Sequence, residues 1–188
     1  KAEGTTILKN AAKEPEIVNV ATFLNNMGAN IKGAGTSKIT IEGVDKLSGC
    51  FTEVIPDRIE AGTYLIAGAL IGKNLTIKNI IPEHIESLTL KLKEMGYKMD
   101  IKYDSITISS QEKLNPIKVK TLGYPGFPTD LQQPLTTLLT MATGISELEE
   151  TIYENRFQNV EYLNNMGANI KIDNRNIFIE GPSNLKGT

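Results

Sequence analysis

The nonapeptide LNNMGANIK occurs at residues 24–32 and again, letter for letter, at residues 163–171. A diverged copy, LKEMGYKMDIK, occupies residues 92–102. The glycines shared by the three copies, Gly28, Gly96 and Gly167, stand about 70 residues apart, too far for the common helical solenoids and about right for a compact supersecondary unit. Whatever one copy folds into, the chain must build several times.

Each copy has the same grammar. An apolar-periodic helix ends in Met-Gly, where glycine can take the left-handed conformation that stops a helix. Two short strands follow, in the first copy residues 29–32 and 38–42, joined by the turn-forming GAGT. In the last copy the turn is DNRN at 173–176 and the returning strand is IFIE at 177–180. The middle copy spells the unit most completely: strand 51–55, helix 58–71, strand 75–79, helix 83–95, then hairpin strands 98–102 and 105–109. That is a βαβαββ unit, and a similar one runs from 117 to 181. The first copy starts only at its second strand. NLKG at 184–187 echoes DKLSG at 45–49, which introduces the next unit, and the opening KAEG has no initiator methionine. Both ends read as cuts across a longer array of repeats.

The helix expected at 58–71 carries Gly62 and Gly68 in its interior, at a cost of roughly 1 kcal/mol each relative to alanine. Close approach of a neighbouring element is the compensation we expect, which makes the first helix of each unit the buried one. The second helix, with Glu83, Glu86, Lys91, Lys93 and Glu94 among its apolar positions, reads as amphipathic and external. The fold class is therefore α/β, with buried helices inside and sheets around them.

Composition narrows the function. A formal net charge of −2 with no polybasic stretch argues against nonspecific nucleic-acid binding. A single cysteine, Cys50, excludes an internal disulfide framework and agrees with a reducing compartment. With no apolar run of membrane-spanning length, no membrane association is expected and the cytoplasm is the expected location. Ser-His-Asp and Cys-His arrangements could be built only around the sole histidine, His84, which reads as a solvated residue at a helix start. There is no His/Cys cluster for zinc, and Glu147, Glu149 and Glu150 lie on a loop or strand without a ligand pattern, so neither a metal nor a cofactor is expected. GAGTSK at 33–38 lacks the spacing of a phosphate loop and joins two strands, so it reads as a hairpin turn. Cys50 reads as a small buried side chain.

Three acidic residues open helices: Glu14 in Glu-Pro-Glu, Asp57 in Pro-Asp-Arg58 and Asp130 in Pro-Thr129-Asp. N-capping and the helix dipole suffice to explain each. In a repeat array, however, equivalent helices start at one end of the domain, where their N-termini suit anionic ligands and a carboxylate could serve as a base.

Six motifs in order, EPEI (14–17), LNNMGANIK, IEGV (41–44), PDRIEAGT (56–63), FPTDLQ (127–132) and ENRF (154–157), give the chain a resemblance to the UDP-N-acetylglucosamine 1-carboxyvinyltransferase family. The resemblance implies an enolpyruvyl transferase fold, an inside-out α/β barrel of repeated βαβαββ units, three to each of two domains with substrates in the cleft between them. Residues 1–55 would then be the end of the first domain and residues 56–188 two units of the second. It further implies transfer of the enolpyruvyl group of phosphoenolpyruvate to the 3′-hydroxyl of UDP-N-acetylglucosamine, an early step of peptidoglycan and cell-wall synthesis, and hence of cell shape and division. Asp130 matches the aspartate that contacts that hydroxyl and takes its proton. Thr129, Ile152 and Arg156 match substrate-binding positions, and Glu14, Asp57 and Arg58 match polar positions at the domain junction, with hinge and ligand roles both open. The family's reactive loop cysteine and its N-terminal lysine lie upstream of the matched region, so Cys50 is not that cysteine and the 188-residue chain alone is expected not to turn over. Its partners would be the missing segments of the same enzyme, and unpaired edge strands would also permit self-association. Two other readings stay open: a 5-enolpyruvylshikimate-3-phosphate synthase-like enzyme, and a noncatalytic repeat domain that binds a nucleotide-sugar.

Overall fold

The computed structural model describes residues 1–187 and divides into two compact units, Lys1–Ile55 with Gly123–Pro125, and Pro56–Leu122 with Gly126 onward. The smaller unit contains β1 (Thr5–Lys9), α1 (Pro15–Asn26), β2 (Asn30–Lys32) and β3 (Lys38–Glu42). Its antiparallel sheet has the order β1-β3-β2. The turn between β2 and β3 is a hairpin turn with Gly33 and Gly35 at positive φ.

The larger unit begins with α2 (Arg58–Ile71), β4 (Leu75–Lys78), a 3-10 turn (Pro82–Ile85), α3 (Glu86–Met95), β5 (Met99–Ile101) and β6 (Ser105–Ile108). It continues with β7 (Lys118–Lys120), a second 3-10 turn (Thr129–Leu131), α4 (Gln132–Leu139), β8 (Gly144–Glu149), α5 (Gln158–Asn165), β9 (Asn169–Asp173) and β10 (Asn176–Gly181). Two sheets result, β4-β6-β5 and β7-β8-β10-β9, antiparallel except where β7 pairs in parallel with β8. The triples β1-β3-β2, β4-β6-β5 and β8-β10-β9 are one arrangement built three times.

The identical nonapeptides have an identical task. Gly28, Gly96 and Gly167 all sit in the left-handed region, at φ of 101°, 108° and 105°. Beyond each glycine the chain folds back, so that the N–H groups of Ala29, Tyr97 and Ala168 donate to the carbonyls of Leu24, Leu92 and Leu163. In the two exact copies an asparagine amide clasps the next strand on both sides: Asn25 exchanges two 2.8 Å bonds with the backbone of Ile31, and Asn164 does the same with Ile170 at 2.9 and 3.0 Å. The side-chain amide does this because its NH2 donates while its oxygen accepts. The diverged copy has Lys93 at that place and lacks the clasp.

The core of the larger unit lies between its helices and the inner faces of its sheets. Leu65 on α2, Leu88 and Leu92 on α3 and Leu135 and Leu138 on α4 are fully buried. The α2 glycines permit this packing in two ways. A Cβ on Gly62 would stand 2.5 Å from Leu131 Cδ1, so there the neighbour is the start of α4. A Cβ on Gly68 would meet Leu75 and Ile108, so there it is the sheet. The first helix is thus the buried one, and α3 shows one face to solvent.

Five expectations change. Residues 51–55 form no strand: they join no ladder among the described residues and Phe51 is 97% exposed, because apolar alternation makes a strand only where a ladder partner exists. The complete βαβαββ unit is therefore the last one, not the middle one. The helix expected from 83 is a 3-10 turn first, with α3 starting at Glu86, and His84 is half-buried within that turn rather than solvated. Cys50 is half-buried, its Sγ 3.8 Å from the carbonyl of Phe23.

If Gly62 is the point of closest helix approach, Gly62→Val should overpack it against the fully buried Leu131 and destabilise the larger unit by about 1–3 kcal/mol in urea unfolding. An unchanged midpoint would show that the core has room there.

Candidate functional site

The three acidic helix openers separate once their partners are known. Asp57 is an N-cap: its Oδ1 accepts from the N–H groups of Ile59 at 2.7 Å and Glu60 at 3.2 Å. Arg58 beside it is the first residue of α2 and half-buried. Glu14 makes no side-chain cap to α1; its Oε1 accepts from the N–H of Tyr124 at 3.5 Å, within the smaller unit. Asp130 caps nothing either. It lies inside the 3-10 turn ahead of α4, whose own N-terminus has no side-chain cap.

Asp130 instead pairs with Arg156, whose Nη2 donates to its Oδ1 at 2.7 Å. The Asp130 side chain remains 53% exposed while that of Arg156 is 25% exposed. The other arm of the guanidinium, Nη1, donates to Thr129 Oγ1 at 3.0 Å. The guanidinium also lies over the ring of Tyr153, 4.9 Å from its centroid. Asn155, in the left-handed conformation at φ of 56°, turns the chain between Tyr153 and Arg156.

Behind this pair stands Glu150, 1% exposed. Its Oε1 accepts from Thr121 Oγ1 at 2.9 Å, Ile152 N–H at 2.8 Å and Tyr153 N–H at 3.1 Å, and its Oε2 accepts from Thr129 Oγ1 at 2.8 Å. Desolvation pushes the carboxyl up, but the hydrogen bonds from Thr129, Tyr153, Ile152 and Thr121 together outweigh it and hold Glu150 below the ordinary glutamate value. A charge is therefore buried here with neutral donors alone touching it.

Topology explains the assembly. Thr121 and Glu150 each follow the C-terminal end of a parallel strand, β7 and β8, and Thr129 and Asp130 lie in the connection leading from β7 into α4. The carboxyl ends of adjacent parallel strands are where α/β proteins collect ligand-binding loops. Ile152, 45% exposed, lies in the loop that Glu150 ties down. Of the positions singled out in the sequence, Thr129, Asp130, Arg156 and Ile152 thus meet around one loop, whereas Asp57 is committed to its cap. Glu150, which the sequence reading set aside for lack of a ligand pattern, is the residue that joins them.

A cavity of about 450 Å³ along β7, lined by Lys91, Lys118, Lys120, Glu147 and Glu149 among others, includes none of these residues. Its lysines are neutralised, Lys118 by Glu147 at 2.7 Å, Lys120 by Glu149 at 3.0 Å and Lys91 by Glu94 at 2.7 Å. Among the described residues, no group of three His, Cys, Asp or Glu side chains could hold a metal ion, and no helix is long and apolar enough to cross a membrane.

All 188 residues match the family model described as EPSP synthase (3-phosphoshikimate 1-carboxyvinyltransferase). The chain belongs to this family. Over 187 residues it is 57% identical to UDP-N-acetylglucosamine 1-carboxyvinyltransferase 2 of Bacillus subtilis, covering 99% of this chain and 44% of that relative. It is 53% identical to the protein of the same name from Listeria monocytogenes, again over 44% of the relative's length. Among solved structures, the enolpyruvyl transferase NikO from Streptomyces tendae superposes with a TM-score of 0.86 at 27% identity, over 97% of this chain and 44% of that one. The enolpyruvyl transferase fold expected from the motifs is thereby established, and the chain spans less than half the length of the curated relatives it matches.

Because Glu150 is held below its unfolded value of about 4.3, its ionised form stabilises the fold above that pH and loses this effect as pH falls through the folded pKa. The stability difference between wild type and Glu150→Gln should therefore be largest above about pH 5 and shrink toward pH 3. A difference constant across that range in thermal unfolding would mean that folding does not lower the pKa of Glu150.

Proposed function

We propose that the whole protein containing this chain transfers the enolpyruvyl group of phosphoenolpyruvate to the 3′-hydroxyl of UDP-N-acetylglucosamine and releases phosphate, in the cytoplasm and in the service of peptidoglycan synthesis. The observation that carries the reading is the exposed Asp130 carboxylate held by Arg156 in a loop cluster at the ends of β7 and β8. The 57% identity to a relative named for the same reaction supports it.

Asp130 has the attributes of a base for the acceptor hydroxyl. It is solvent-accessible, it is not consumed by helix capping, and one fixed contact orients its carboxylate. In the reaction the hydroxyl proton passes to Asp130 as the oxygen bonds to C2 of phosphoenolpyruvate and C3 takes up a proton. The tetrahedral adduct then expels phosphate and returns a proton from C3. Arg156 holds Asp130 in place and is the nearest cation for an anionic group bound beside it. Ile152 offers an exposed apolar contact to the UDP-sugar, and Thr129 joins Arg156 in shaping the same wall. The capping role of Asp57 favours a junction or hinge task for the Asp57-Arg58 pair over substrate contact, and Glu14 keeps both roles open. Partners of this chain are then the remaining segments of the same enzyme.

Phosphate release by the whole protein from phosphoenolpyruvate should occur with UDP-N-acetylglucosamine and not with shikimate 3-phosphate. Asp130→Asn should lower it by roughly 10²- to 10⁴-fold. Release with shikimate 3-phosphate alone would move the protein to the other branch of its family. The 188-residue chain by itself should release no phosphate, and turnover at the rate of the whole protein would overturn the view that the site needs the other segments.

A further inference from the structure

We propose that Glu150 is a positioning residue for this site: its buried carboxylate fixes the direction of the Thr129 hydroxyl and thereby sets the guanidinium of Arg156 against Asp130. The proposal rests on the enolpyruvyl-transfer reading for its kinetic consequence and on hydrogen-bond geometry for its structural one.

An ionised carboxylate accepts and never donates, whereas a threonine hydroxyl has one hydrogen to give and lone pairs to offer. Thr129 Oγ1 lies 2.8 Å from Glu150 Oε2 and 3.0 Å from Arg156 Nη1. Since Arg156 can only donate, the Thr129 hydrogen must point at Glu150, and the lone pairs are left for the arginine. The other arm of the guanidinium is then brought to Asp130 Oδ1 at 2.7 Å. Thr121 is polarised in the same way: its hydroxyl donates to Glu150 Oε1 and accepts from the N–H of Thr151 at 2.9 Å. One buried charge thus sets two hydroxyl rotors, and the chain of contacts from Glu150 to Asp130 has a single direction of donation.

The two carboxylate oxygens have separable tasks. Three donors meet at Oε1, two of them from the 151–153 loop, while Oε2 takes Thr129 alone. In Glu150→Gln the amide oxygen can occupy the place of Oε1 and keep its three contacts, two to the loop and one to Thr121. Its NH2 then faces Thr129, which must accept from it and turn its own hydrogen away, toward Arg156. The variant preserves the loop and reverses the link to the arginine.

The test is a cycle in the whole protein comparing wild type, Glu150→Gln, Thr129→Val and the double variant, with phosphate release and thermal unfolding followed together. Glu150→Gln should stay folded and lose roughly 10- to 100-fold in kcat, the scale on which a misplaced reacting group acts. Thr129→Val, which deletes the same link at constant shape, should lose a similar factor, and the double variant should fall no further than the worse single one. Multiplying losses, or a Glu150→Gln enzyme with wild-type kcat and KM, would overturn the proposal. A second readout needs no turnover: nitrogen NMR of the Arg156 guanidinium in the whole protein. Slow rotation of the guanidinium in wild type that becomes fast in Glu150→Gln is the expected result, and unchanged rotation overturns the proposal. A wild-type protein that releases no phosphate would sink the enolpyruvyl-transfer reading while the NMR comparison still decides the role of Glu150. Should Glu150→Gln fail to fold, Thr129→Val takes its place in the same NMR comparison, with the same two outcomes.

Discussion

A carboxylate taken out of water must find enough donors to replace its hydration, and Glu150 finds four. Two come from the backbone of the loop that follows it, and two from threonines placed beyond β7 and at the entry to α4. The donors must come to the charge, because the alternative is a buried and unsolvated anion. The loop conformation, the threonine rotamers and the bearing of Arg156 on Asp130 are therefore linked to one buried residue.

That arrangement needs a scaffold in which the ends of neighbouring strands stay fixed. The repeat supplies it. Each copy stops its helix with a left-handed glycine and turns the chain back to the helix's own carbonyls, and in the exact copies an asparagine then clamps the next strand. The last unit adds the parallel strand β7 to its triple, and among the described residues only there do two strands end side by side with loops leaving in the same direction. In the stretch that should supply the equivalent strand to the middle copy, residues 51–55 join no sheet. The cluster accordingly belongs to the last unit, where a parallel pair exists to carry it.

Much of this was legible in residues close together in sequence. The helix-Met-Gly-hairpin grammar, the burial of α2 and the hairpin nature of GAGTSK are local or periodic properties, and the structure has them. The motif FPTDLQ marked Asp130, and ENRF marked Arg156. What could not be read was the difference between three acidic residues that open helices in the same way, one of which caps its helix while the others do not. Glu150 had no signal of any kind, being one of three glutamates at the end of a strand.

The sequence by itself determined the repeated helix-glycine-hairpin unit and the family, because these depend on periodicity, turn chemistry and motifs within a few residues of one another. Tertiary structure decided which polar residues form a site. The bonds that make it join Thr129 to Glu150, Asp130 to Arg156 and Thr121 to Glu150 across separations of 21, 26 and 29 residues. Contacts at that range are set by the parallel register of β7 on β8, which brings Lys118, Val119 and Lys120 opposite Glu147, Leu148 and Glu149. A shift of one residue in that register would turn Glu150 to the other face of the sheet, and no local pattern in the chain records which way it points.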